Sequence, residues 1–236
     1  MKTINTIIFT LLFSTAALYA QVNTEGQKVL EKLYSVYGGK EKIAAFKSMQ
    51  QSGTTFSTTR NNSADLTRTY RFPYHLNITK KSPEAPIERR IIADEKGWRN
   101  GKKVEGMLKD SMLLQAARMM VPKLLLENSH KLRYNGLLKS EDGKTWHIFR
   151  VSLPGGGSLM VQVEPESYYI RATVAMMSLD KWRTMQFITT YDEFKNFDGY
   201  LFGTKEQHYA MNKYVGWSEI RSIDFKTGFD SKTFLP

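Results

Sequence analysis

The sequence predicts a mainly β protein with helices (α+β), built on a single antiparallel sheet of about ten strands that curls into a barrel or half-barrel. Three observations predict this. Segment after segment alternates apolar and polar residues between turn signals, as in 66–72 (LTRTYRF) and 74–80 (YHLNITK). These segments follow one another without intervening helices, which favours hairpins over parallel crossovers. One helical segment, 111–127 (SMLLQAARMMVPKLLLE), is apolar around most of its circumference and so belongs against the concave side of a curled sheet, as a plug or cap.

The elements follow in order. Residues 24–37 carry Val29, Leu30, Leu33, Val36 and Tyr37 at helical spacing, with Thr24 as the N-cap and Gly38-Gly39 as the stop. A short helix follows over 40–46 with Ile43, Ala44 and Phe46 on it. Strands are expected at 48–59, 65–72, 74–80 and 87–93, with Asn61-Asn62-Ser63 as a hairpin connection and 93–98 as a turn. In the long apolar helix Ser111, Gln115 and Arg118 form one narrow polar stripe, and Pro122 lacks the N–H needed to continue, so the helix kinks or restarts there. Six more strands are expected at 145–153, 158–164, 168–176, 185–191, 205–211 and 217–225, with turns at Glu141–Gly143, Pro154–Gly157 and Glu164–Glu166. Met107, Met112, Met119 and Met120 cluster in or beside the apolar helix, and Met176, Met177 and Met185 lie in later strands. Methionine suits an adaptable apolar surface; equally, these side chains simply fill a core.

The chain has 236 residues, enough for one large domain, with 41% hydrophobic and 24% charged residues, which is globular composition. It has no cysteine, so disulfides, thiolate zinc sites, iron–sulfur clusters and a cysteine nucleophile are excluded. Residues 1–20 (MKTINTIIFTLLFSTAALYA) start with Lys2, continue as an apolar run and end at small Ala20, the pattern of a cleaved secretory signal peptide. The expected organisation is therefore a signal peptide over 1–20 and one domain over 21–236, exported and without a membrane span. The formal charge of +11 is spread along the chain rather than massed, so solubility explains most of it and nucleic acid is not an expected partner.

Motifs for covalent or metal chemistry are missing. His75, His130, His147 and His208 stand far apart and no H-E-x-x-H occurs. There is no G-x-S-x-G elbow, and Gly155–Gly157 lacks the Lys-Ser/Thr of a phosphate loop. Glu164 and Glu166 flank Pro165 in a turn and read as a solvated bend rather than a glycosidase pair. No catalytic residue, cofactor or metal is expected. Trp98, Trp146, Trp182 and Trp217 suit core and rim packing or a ligand-lined wall, and Lys181 and Arg183 bracket Trp182.

The order of several short motifs resembles the LolA-like periplasmic proteins that sort and carry outer-membrane lipoproteins. Tyr37-Gly38-Gly39 is followed by Lys42-Ile43 and Ser52-Gly53; Arg71-Phe72-Pro73 by Asp94 and Gly97-Trp98; and Tyr191-Asp192-Glu193-Phe194 by Asp198-Gly199, Ile220-Arg221-Ser222-Ile223, Phe234 and Pro236. The resemblance implies an unclosed half-barrel around an apolar cavity, helices as its lid, and carriage of a lipid, an acylated lipoprotein or another amphiphile through the periplasm without covalent catalysis. Implied partners are that cargo and membrane-bound donor and acceptor proteins. On this reading Phe72, Trp98, Met112, Leu113, Met119, Met120 and Phe187 are expected to line the cavity, and Arg68 and Arg71 are the candidate polar contacts. The family's carrier uses an arginine to hold its lid, and here Arg68 or Arg71 would serve. The chain ends at Phe234-Leu235-Pro236, without the extra C-terminal strand of that carrier. Alternative readings are an envelope sensor or accessory module using the same cavity and, more remotely, a hydrolase of lipid or glycan.

Overall fold

The computed structural model describes residues 22–140, 143–154, 157–178, 184–225 and 228–236. The expected signal peptide, the Glu141-Asp142 turn, Gly155-Gly156 and Lys181-Trp182-Arg183 lie outside the described residues.

Two helices come first. Helix α1 (Thr24–Val36) buries Val29, Leu30, Leu33 and Tyr34 on one face. Its N-cap is Asn23 rather than Thr24: the Asn23 Oδ1 accepts from the Gly26 N–H at 2.9 Å, leaving Thr24 inside the first turn. Gly38, at φ 110°, ends the helix in a conformation that side chains resist. Helix α2 (Lys40–Ala45) then buries Ile43.

Thirteen strands follow among the described residues, three more than the expected ten. The first six are β1 (Ser48–Ser57), β2 (Asn62–Arg71), β3 (His75–Ser82), β4 (Ala85–Ala93), β5 (Lys96–Arg99) and β6 (Lys102–Val104). The last seven are β7 (Arg133–Lys139), β8 (Thr145–Ser152), β9 (Ser158–Val163), β10 (Ile170–Ser178), β11 (Thr184–Phe197), β12 (Tyr200–Ala210) and β13 (Lys213–Asp224). Strands β5, β6 and β7 are the additions. They are short or rich in Lys and Arg and carry no clear apolar alternation, as expected of strands at or near a sheet edge.

All thirteen form one antiparallel sheet in the order β6-β5-β4-β3-β2-β1-β13-β12-β11-β10-β9-β8-β7. It is two meanders joined at a seam, β1 against β13. Gly53 sits at a register shift in that seam, and a Cβ there would lie 1.9 Å from the Glu219 carbonyl oxygen, so only glycine permits this approach. The outermost strands β6 and β7 do not pair with each other, and the sheet stays open.

Between these two edges the chain runs through helices α3 (Gly106–Ala117) and α4 (Val121–Glu127). Of the kink or restart expected at Pro122 the structure shows a restart: there are two helices, broken over Arg118–Met120, with Pro122 in the first turn of α4, where its missing N–H costs nothing. Met112, Leu113, Leu114, Ala116 and Ala117 of α3 are all buried. Helix α3 packs on β3, β4 and β5 and also on β10. Strands β5 and β10 are eight positions apart in the sheet, about 38 Å if it were flat, whereas α3 is only about 18 Å long. The sheet must curve around the helix for both contacts to exist.

The main core fills one end of this curve. There Phe46 packs on Tyr70, Tyr200 and Phe225, with ring centroids 5.9–6.3 Å apart, and the Tyr200 hydroxyl donates to the Lys42 carbonyl at 3.0 Å. Helices α1 and α2 close that end. A smaller cluster of Ile91, Ala93, Trp98 and Phe234 lies on the other face of the sheet, under a 3₁₀ turn at Ser231–Phe234.

Candidate functional site

A cavity of about 340 Å³ remains between the sheet and α3. That volume falls within the roughly 300–1,000 Å³ of small-molecule pockets. Its roof includes Ser111, Gln115 and Arg118, with Met119 and Met120 at the break between α3 and α4. The polar stripe of Ser111, Gln115 and Arg118 thus faces the hollow. The walls are largely apolar, with Leu66, Leu76 and Ile78 from one meander and Phe187, Leu201 and Phe202 from the other. Phe56, Ser57 and Val215 carry the lining toward the hairpin tips, away from α1 and α2. A second hollow shares Thr55, Ser57, Lys80 and Arg90 with the first and adds Arg60 and Glu88.

A connected set of polar side chains stands on the strands inside this apolar wall. Arg68 of β2 donates twice to Glu206 of β12, at 2.8 and 2.7 Å, in the two-pronged geometry that suits guanidinium and carboxylate. Both side chains are 12% exposed. Arg68 also donates to Ser218 Oγ at 3.2 Å. His208 bridges Ser218 Oγ at 3.0 Å through Nε2 and Thr189 Oγ1 at 3.2 Å through Nδ1. From the roof, Arg118 donates to the same Thr189 Oγ1 at 2.5 Å. The network therefore runs from one meander, through β13 and β12, to β11 and up to the helix.

Burial and neighbouring charge set the protonation of these groups. Burial alone would raise the Glu206 carboxyl, but the Arg68 guanidinium outweighs it and holds the value down at about 2. Burial lowers His208 to about 3 despite Glu206 beside it, with Arg118, Arg68 and Lys80 adding to the fall. The imidazole is therefore neutral at pH 7. Burial, then Arg90, bring Lys80 down to about 8. Burial lifts the Tyr191 hydroxyl to about 12. Among the described residues no group of His, Asp and Glu is arranged to hold a metal ion.

The residues singled out from sequence are distributed as follows. Met119, Met120, Phe187 and Arg68 line the cavity. Met112 and Leu113 are buried in the core beside it. Phe72 packs at the core margin with the Lys123 ammonium 5.0 Å from its ring centroid. Trp98 pairs across strands with Ile91, on the face away from Ile92 and the main core. Arg71 lies over the Phe234 ring at 4.9 Å. The arginine that ties the helical segment to the sheet is Arg118, reaching down from α3; the partners of Arg68 are all on strands. Arg118, Glu206 and His208 were not singled out as site residues. The one signal for Arg118 was its place in the polar stripe.

No family model and no curated protein sequence matches the chain. Its fold matches solved structures. A LolA superfamily protein from Nitrosomonas europaea superposes with a TM-score of 0.57 at 11% identity, covering 89% of this chain and 97% of that one. A DUF1329 family protein from Desulfovibrio piger superposes with a TM-score of 0.50 at 7% identity, covering 88% of this chain and 96% of that one. The open antiparallel sheet with helices between its two edges is thus the fold seen in a LolA superfamily structure, carried here by a very different sequence.

Proposed function

We propose that the protein carries a lipid, an acyl chain or another amphiphile through the compartment outside the inner membrane, by reversible, non-covalent capture in the cavity under α3. The cavity itself carries the reading: a mostly apolar hollow between a curved sheet and a helical segment, with flexible Met119 and Met120 in its roof. Each CH₂ moved from water into such a hollow gains about 0.8 kcal/mol. A chain of a dozen carbons is thereby held without a covalent bond, and release requires only that the roof shift. Met119, Met120, Phe187 and Arg68 are the proposed ligand contacts. Met112 and Leu113 fix the roof helix, while Phe72 and Arg71 brace its surroundings. Support also comes from the LolA-superfamily fold and from the export-like start of the sequence. The cargo is passed between donor and acceptor membrane proteins in this reading.

Native mass spectrometry of the purified chain, with solvent extraction of what travels with it, tests the proposal. An amphiphile should co-purify or add stoichiometrically. A chain that takes up no amphiphile from an envelope lipid extract would overturn it.

A further inference from the structure

The charges that line the cavity do not balance. Among the described residues its lining contains Arg68, Lys80, Arg90 and Arg118 but one carboxylate, Glu206. Glu206 is committed to Arg68 through both oxygens. Arg90 is answered from outside the main hollow by Glu88, whose carboxylate also contacts Arg60 and Arg99. Two cations are left over. Among the described residues, neither Arg118 nor Lys80 has a carboxylate oxygen within 4.0 Å. Arg118 spends one of its five N–H groups on the neutral Thr189 hydroxyl, and the rest find no protein acceptor among the described residues. The other polar neighbours offer no compensating charge: His208 is neutral, and Ser218 and Thr189 are hydroxyls. A half-buried guanidinium with one hydrogen bond and no carboxylate in contact has unused donors, and an anion brought in with a ligand would fill them.

We propose that the cavity selects anionic amphiphiles, with a carboxylate or phosphate head held by Arg118, Lys80 as the second cation, and the apolar tail along Met119, Met120 and Phe187. This rests on the carriage reading and narrows its cargo to one charge class. The roof segment that covers the cavity would then also read the head group, since Arg118 caps α3.

Binding of laurate, methyl laurate, dodecyl phosphate, acetate and inorganic phosphate to the purified full chain at pH 7 tests this, by displacement of a fluorescent fatty-acid probe. Laurate or dodecyl phosphate should bind roughly 10- to 100-fold more tightly than the neutral ester, the range of a charge-assisted hydrogen bond. Whichever of the two binds better identifies the head as carboxylate or phosphate, and either supports the inference. Arg118→Gln should bring the charged-to-neutral ratio to within about threefold of one, and Lys80→Gln should reduce it less. The ratio in the unaltered chain decides the matter even if a variant fails to fold. Equal, measurable binding of laurate and its methyl ester would overturn the charge selection and leave carriage standing. No binding of any long-chain probe would overturn carriage itself. Acetate or inorganic phosphate binding as tightly as the long-chain anions would overturn both, because the site would then serve a free anion.

Discussion

The Arg68–Glu206 pair is an ion pair placed where a core would ordinarily be apolar. Its two hydrogen bonds offset the loss of water only while both partners are present. Arg68→Met should therefore cost about 3–5 kcal/mol in urea unfolding, because it strands the Glu206 charge, and the double change with Glu206→Leu should recover much of that loss. Losses of the two single variants that simply add in the double variant would show that the pair is not coupled. His208 gives a pH dependence with a definite sign. Its unfolded value is near 6.5 and its folded value about 3, so below pH 6.5 the unfolded chain takes up a proton that the folded chain refuses. Stability must fall as pH drops from 6.5 toward 3, by at most about 1.4 kcal/mol per pH unit for this one group. Glu206, held at about 2, adds a loss of the same sign below its ordinary 4.5. His75 and His147 are also lowered, chiefly by burial, so His208→Gln should flatten the slope between pH 6.5 and 4.5 without abolishing it. An unchanged slope, read from unfolding midpoints at half-unit steps, would contradict the buried neutral imidazole.

At the scale of elements, the sequence's two periods made most strands and helices readable, and its turn residues marked their ends. What a period cannot say is which face meets what. Ser111, Gln115 and Arg118 stood out as a stripe, but three and four residue spacing looks the same whether the stripe meets water or a lined hollow. Trp98 and Ile91 alternate with their neighbours, and nothing local tells which side of the sheet will be concave. Arg68 was visible as an arginine among aromatic neighbours, whereas its partner Glu206 lies 138 residues away and becomes a partner only through the seam. Strands β5, β6 and β7 escaped because short, charged edge strands lack the apolar alternation on which recognition depends. The seam has its own local requirement. Gly53→Ala would place a Cβ against the Glu219 carbonyl at 1.9 Å and should cost about 3 kcal/mol, the upper end of overpacking losses. A melting temperature unchanged by this substitution would show that the bulge relaxes freely.

For the whole molecule, the arrangement of pairings has a kinetic meaning. Every pairing in the sheet joins strands consecutive in the chain, apart from β1 with β13. Two local hairpin arrays can each assemble quickly, but zipping them together closes a loop of about 160 residues, as the 162-residue separation of Thr55 from its Trp217 carbonyl partner illustrates. The same contact decides whether the hollow exists at all, because Arg68 and Glu206 meet only across it. Nascent chains released from synthesis thus expose two greasy half-shells until the last strand arrives, a window in which aggregation or a holdase competes with closure.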